Sequence, residues 1–247
     1  MPLAARIIPT LLCRGRKLVK GQQFDSWRSV GVVAQAVRVH QHRGVDELVL
    51  LDITATAEGR GPDLDLVAEL SEACFMPLAV GGGVRSVDDM RSLLRAGADK
   101  VVFGTAALEV PGLISEAATA AGAQAVVVSI DVRAGRVVKR NGTQQTAWNP
   151  RAWAAVMEGA GAGEILLTAV GREGTMAGYD LELIRAVASA VYVPVIAHGG
   201  AGTYEHMREA LEAGASAVAA GAMFQFTHQT PREAAEYLKA NGIEART

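Results

Sequence analysis

Cysteine is scarce. Cys13 and Cys74 are the only two, too few and too unpatterned for a disulfide framework or a thiolate metal site. Excess charge is missing as well. The 24 Lys and Arg residues nearly offset 26 Asp and Glu, leaving a formal net charge of -2. That balance gives no electrostatic ground for binding nucleic acid or an anionic membrane. No apolar run reaches the roughly 18 residues of a membrane span, and no secretory leader pattern stands at the start. The expected location is the cytoplasm, with no membrane partner. No stretch reads as a linker, so residues 1–247 are expected to form one domain. Nothing in these features asks for a cofactor or a metal.

What the chain does have is apolar residues, half of the total, and 27 glycines. Glycine clusters fall just after short apolar runs. Eight such runs read as strands: ARIIPTL, ELVLLDI, PLAVGG, KVVFGT, AVVVSID, EILLTAV, VPVIAHGG and AVAAGA. Between them lie stretches such as VDDMRSLLRAGA and YEHMREALEAGA, whose apolar residues recur three and four apart, as a helix needs. Nearly continuous apolar strands alternating with helices describe a parallel sheet covered on its outer face. Eight of them in this length suit a closed (β/α)8 TIM barrel.

The chain repeats itself. AVGGGVRSVDDMRSLLRAGADKVVFGTAA, from Ala79, matches IAHGGAGTYEHMREALEAGASAVAAGAMF, from Ile196, at an offset of 117 residues. Such a period is too long for a solenoid unit. It fits four βα units used twice, a barrel made of two half-barrels. Paired ligand sites should follow. Glycines beyond strands three and seven let backbone N–H groups approach an anion, and the turns after strands four and eight lead into helices that favour the same charge. Gly83 with Thr105 would hold one phosphate and Gly200 with Gly221 the other, implying a ligand phosphorylated at both ends. Barrel turns need glycine in any case, so each cluster alone also fits plain turn chemistry.

The halves differ in one place that matters. LLCRGRKLVKG aligns with IDVRAGRVVKR if one residue is inserted, setting Leu12 opposite Asp131. Side chains at the C-terminal ends of barrel strands meet the active-site mouth. A two-carboxylate acid/base device would need both positions, and this chain has one acid. His198 is a second titratable candidate, since an ordinary histidine pKa suits proton transfer; it also fits a rim histidine bonded to backbone. Asp52 could bind substrate or brace the turn that follows it. Lys20 could be an anion ligand or a solvated loop lysine. Trp148 and Trp153 could stack on a ligand or anchor a helix. At the opposite rim, Glu47, Asp99, Lys100 and Glu164 put charges where barrel interiors are normally apolar. They fit either a functional cluster or solvated ion pairs.

RIIP, VDELVLLDIT, VGGGVRS, LLRAGADKV, GAGEILLT, REGT, GYDLELIRAV and HGGAG together resemble the cyclase (synthase) subunit family of imidazole glycerol phosphate synthase, over essentially the whole chain. The resemblance implies a (β/α)8 barrel, a bisphosphorylated ribulosyl aminoimidazole carboxamide substrate and no cofactor. It also implies a glutaminase partner on the bottom face and ammonia passing through the barrel. The family's two essential aspartates fall on Leu12 and Asp131. Its first-loop lysine falls on Lys20 and its strand-two acid on Asp52. The strand-four Asn-Thr pair appears as Gly104-Thr105, and the strand-six loop acid as Glu173, followed by Gly174 and Thr175. Two serines become His198 and Ala222. The ammonia gate matches Arg6, Glu47, Lys100 and Glu164, and the glutaminase-communicating aspartate matches Asp99. With the gate kept and the top face altered, the chain looks like the branch associated with sugar amidation. There the barrel and its glutaminase would supply ammonia to a third, sugar-activating protein. The alternatives are a genuine cyclase (lyase) of histidine biosynthesis, with Glu173 or His198 in place of the missing acid, and a non-catalytic subunit that activates the glutaminase.

Overall fold

The computed structural model describes residues 4–246. Eight strands line up with the eight apolar runs: β1 (Arg6–Arg14), β2 (Leu48–Asp52), β3 (Leu78–Gly81), β4 (Lys100–Phe103), β5 (Val126–Arg133), β6 (Glu164–Ala169), β7 (Val195–His198) and β8 (Ala217–Ala220). Each pairs in parallel with the next, and β8 returns to β1 through Arg6↔Ala217, so the sheet closes into a barrel. Closure removes the exposed sheet edges that an open parallel sheet would present.

Alternation along each strand builds two cores. Ile8, Val49, Val102, Val127, Leu166 and Ile196 point into the barrel and pack with Ala79, Ala217 and Ala219. Their sequence neighbours, such as Ile7, Leu48, Leu50, Val101 and Phe103, point outward against the helices. Both faces of every strand are therefore buried, which is why the runs are apolar without a polar alternate.

The repeat extends to the helix caps. Asp63 and Asp180 accept from the backbone N–H of Leu66 and Leu183 at the starts of helices Leu64–Ser71 and Leu181–Ala188. Ser86 and Thr203 do the same for Val87–Arg95 and Tyr204–Glu212. Each cap satisfies an N–H that has no partner within its helix.

Two features of the top face were not expected from the sequence. β1 continues into an antiparallel hairpin, Lys17–Gln22 with Asp25–Val32, and β5 into another, Arg136–Lys139 with Gln144–Gln145. Leu12 pairs with Val19 in the first hairpin as Asp131 pairs with Val138 in the second. The hairpins meet over the barrel mouth, where the Arg133 guanidinium donates to the Gln23 carbonyl at 2.9 Å.

At the N-terminal face four charged side chains form an alternating ring. Arg6 contacts Glu47 at 2.6 Å and Glu164 at 2.9 Å, and Lys100 contacts both glutamates at 2.9 Å. Only 3% of the Glu47 side chain is exposed. Phe75 and Tyr192 stand almost fully exposed just before β3 and β7, 117 residues apart like the rest of the repeat. Among the described residues no helix is long and apolar enough to cross a membrane.

Candidate active site

A cavity of about 460 Å³ opens at the C-terminal mouth of the barrel. Asp131, Thr168 and His198 line one wall, and Leu12, Leu51 and Val102 line another, with Phe24 and Trp27 of the first hairpin above. The strand register confirms the alignment of the halves. Leu12 is paired with Leu51 as Asp131 is paired with Thr168, and Leu51 stands 117 residues before Thr168.

Asp131 accepts from Ser129 Oγ at 3.1 Å. Burial pushes its pKa up to about 6, against the opposing pull of the Ser129 and Thr168 hydroxyls. A carboxyl group titrating there can exchange a proton near neutral pH. His198 is buried, and desolvation, with Lys20 nearby, holds its pKa down at about 3, so the ring is neutral. Its Nδ1 lies 3.2 Å from Thr168 Oγ1.

The two anion cradles differ. Gly82, Gly83, Gly104 and Thr105 border the cavity. Gly83 has φ +75°, and a Cβ there would come within 2.6 Å of the Arg60 carbonyl oxygen, so no larger residue fits. Thr105 Oγ1 accepts from the Arg140 backbone N–H at 2.9 Å, tying the second hairpin to this wall. Gly174, Gly200 and Gly221 do not line the cavity. Gly200 packs against the Gly178 backbone, and a Cβ on Gly221 would overlap the Lys20 amine.

Lys20 is therefore no solvated loop lysine. It is 2% exposed and donates to the Thr10 carbonyl at 3.1 Å. Burial lowers its pKa to about 8, although nearby Glu173 opposes the change. Glu173 is also buried, its pKa is raised by desolvation, and its Oε2 has no hydrogen-bond partner. Neither lines the cavity: Lys20 belongs to the first hairpin and Glu173 lies beneath it, where Gln23 N–H donates to the Glu173 carbonyl at 2.9 Å.

The remaining sequence candidates also find their places. Asp52 borders the cavity, but its oxygens are taken by the Thr54 and Ala55 N–H groups, by Thr54 Oγ1 and by Arg60 at 2.7 Å. It braces the turn after β2. Asp99 stands outside the charged ring and accepts from the Leu78 N–H at 2.8 Å. Trp148 packs against the buried Trp153 with centroids 4.8 Å apart, away from the cavity. No group of three His, Cys, Asp or Glu suited to a metal occurs among the described residues.

Thr168 is the site residue that sequence reasoning passed over. Its signal was available in EILLTAV, where it is the lone hydroxyl in an otherwise apolar strand body.

Comparison with known proteins agrees with this geometry. Residues 6–230 match the model of a family described as "Histidine biosynthesis protein". The chain is 48% identical over 250 residues to the imidazole glycerol phosphate synthase subunit HisF of Hyphomonas neptunium, covering 99% of each chain. It belongs to the histidine biosynthesis protein family, within its HisF-type imidazole glycerol phosphate synthase cyclase group.

Proposed function

We propose that this chain is the ammonia-using cyclase subunit of an imidazole glycerol phosphate synthase, acting in the cytoplasm as one barrel domain. The observation that carries the reading is the placement of a half-buried, titratable Asp131 in the C-terminal cavity of a barrel whose other mouth holds the Arg6–Glu47–Lys100–Glu164 ring. End-to-end likeness to a HisF subunit supports it. In this reading a glutaminase docks on the N-terminal face near Asp99 and releases ammonia at the ring. The ammonia reaches the cavity, where Asp131 handles protons as the imidazole closes. Gly83 and Thr105 hold one phosphate of the substrate. Lys20, Gly174, Gly200 and Gly221 hold the other once the first hairpin lifts.

A second reading is favoured by Leu12, which removes one of the family's two acids. There the barrel channels ammonia, and a third protein uses it to amidate an activated sugar. One assay separates them. The purified chain is given the bisphosphorylated ribulosyl aminoimidazole carboxamide with ammonium salt at alkaline pH, which bypasses any glutaminase. Formation of imidazole glycerol phosphate at an enzyme-like rate supports the cyclase. A folded protein without turnover refutes it and leaves ammonia delivery.

A further inference from the structure

The structure contains a polar triad that neither half of the repeat requires. Asp131, Thr168 and His198 are lateral neighbours on β5, β6 and β7: Asp131 pairs with Thr168, and Thr168 with His198. All three border the cavity. The same places in the other half hold Leu12, Leu51 and Gly81, which are likewise paired across β1, β2 and β3. We propose that Asp131 and His198 form one proton-transfer unit joined through the Thr168 hydroxyl, giving the site a second acid/base group where Leu12 leaves none. The inference deepens the ammonia-dependent reading, but its test needs no substrate.

The hydrogen-bond chemistry follows from one shared hydroxyl. Thr168 Oγ1 has a single proton to give. With Asp131 ionised, that proton points to the carboxylate, and Thr168 Oγ1 accepts from His198 Nδ1–H across their 3.2 Å contact. The Nε2 lone pair of His198 is then free to take a proton from a ligand. As Nε2–H forms, the Nδ1 proton passes to Thr168 Oγ1, and the Thr168 proton passes to the Asp131 carboxylate. The result is a neutral imidazole with its proton on Nε2 and a neutral carboxylic acid. One proton has left the ligand, and charge is conserved. Reversing the shifts returns a proton from Nε2 to a different atom of the ligand. Asp131 and His198 are the proton-transfer groups in this scheme, and Thr168 is a positioning residue.

The other ionisable groups near His198 are Lys20, from the first hairpin, and Glu173, beneath that hairpin beside Gly199. β8 contributes only Ala219 opposite His198. Desolvation keeps the imidazole neutral, and burial brings Asp131 to about 6. Protonating Asp131 should therefore reverse the chain of donors without charging the ring.

The experiment is a long-range ¹H–¹⁵N correlation on the full chain labelled with ¹⁵N-histidine, followed from pH 5 to pH 8. The His198 signals are identified by their loss in His198→Asn. Expected is a neutral ring that changes from Nε2–H to Nδ1–H as pH rises, with its midpoint at the titration of Asp131. Asp131→Asn should abolish the pH-dependent change. Thr168→Val should uncouple it, and Thr168→Ser should restore it. A ring that keeps one tautomer throughout, or a switch that survives Thr168→Val, overturns the proposal. The wild-type titration alone decides the matter if a variant does not fold. Failure here would leave the ammonium assay untouched, and failure of that assay would leave the triad standing.

Discussion

The two half-barrels share a backbone plan, down to the helix caps at Asp63 and Asp180, yet they present different side chains to the cavity. The first half offers Leu12, Leu51 and Gly81 at the level where the second offers Asp131, Thr168 and His198. Around the cavity the order reverses. The first half's Gly83 and Thr105 are open to a ligand, while the second half's Gly200 and Gly221 lie behind its own loops and Lys20. Duplication supplied two equal frames. Side-chain chemistry then left one with an apolar wall beside open glycines and the other with a polar, titratable wall.

The largest break in that comparison should come from the acid itself. Asp131→Ala is expected to lower ammonium-dependent turnover by about 10²–10⁴-fold, whereas Leu12→Val should change it by less than about tenfold. Steady-state rates on the bisphosphorylated substrate check both, and equal losses would erase the proposed asymmetry. Next is the ring at the opposite mouth. Glu47→Ala strands Arg6 and Lys100 beside a single glutamate, and removing one partner of a buried ion pair costs about 3–5 kcal/mol. Its symmetry mate Glu164 is more exposed, so Glu164→Ala should cost less in urea unfolding.

The pH dependence of stability sharpens the contrast further. Asp131 is raised in the fold from 3.8 to about 6, so the native state binds more protons in that window. Its contribution is present below about pH 4 and fades as pH rises through 6, by about 3 kcal/mol. His198 works the other way, because its folded pKa is depressed to about 3; its contribution is lost as pH falls below the ordinary histidine value. Asp131→Asn should therefore gain stability over wild type between pH 4 and pH 7, as read from urea midpoints.

A smaller effect is expected at the first half's counterpart to His198. A Cβ on Gly81 would come within 2.8 Å of Val102 Cβ and 2.9 Å of Leu51 Cδ2, so Gly81→Ala should cost about 1–3 kcal/mol by overpacking. Smallest of all, Phe75→Ser and Tyr192→Ser should leave the urea midpoint unchanged, since neither ring is packed.

The barrel was legible because each strand is buried on both faces and so carries an unbroken apolar run. The top-face hairpins were not. Asp25–Val32 is mostly exposed and is held to Lys17–Gln22 by backbone pairing with irregular register, which leaves no hydrophobic pattern to read. Missing the first hairpin also hid the fate of Lys20 and Glu173, because the fold-back that buries them is a long-range event. Asp131 and His198 could be picked out as single residues. Thr168 gained its meaning only from lateral register across three strands, which no linear spacing encodes.

Arg6, Glu47, Lys100 and Glu164 close the N-terminal mouth with charges that alternate in sign around a square. Such an arrangement is a quadrupole, with no net charge and almost no dipole, so its field dies away within a few ångströms of the surface. The same face also exposes the Phe75 and Tyr192 rings, so the apolar surface it offers a protein is short-ranged as well. If a glutaminase docks there as proposed, its association rate should depend little on ionic strength.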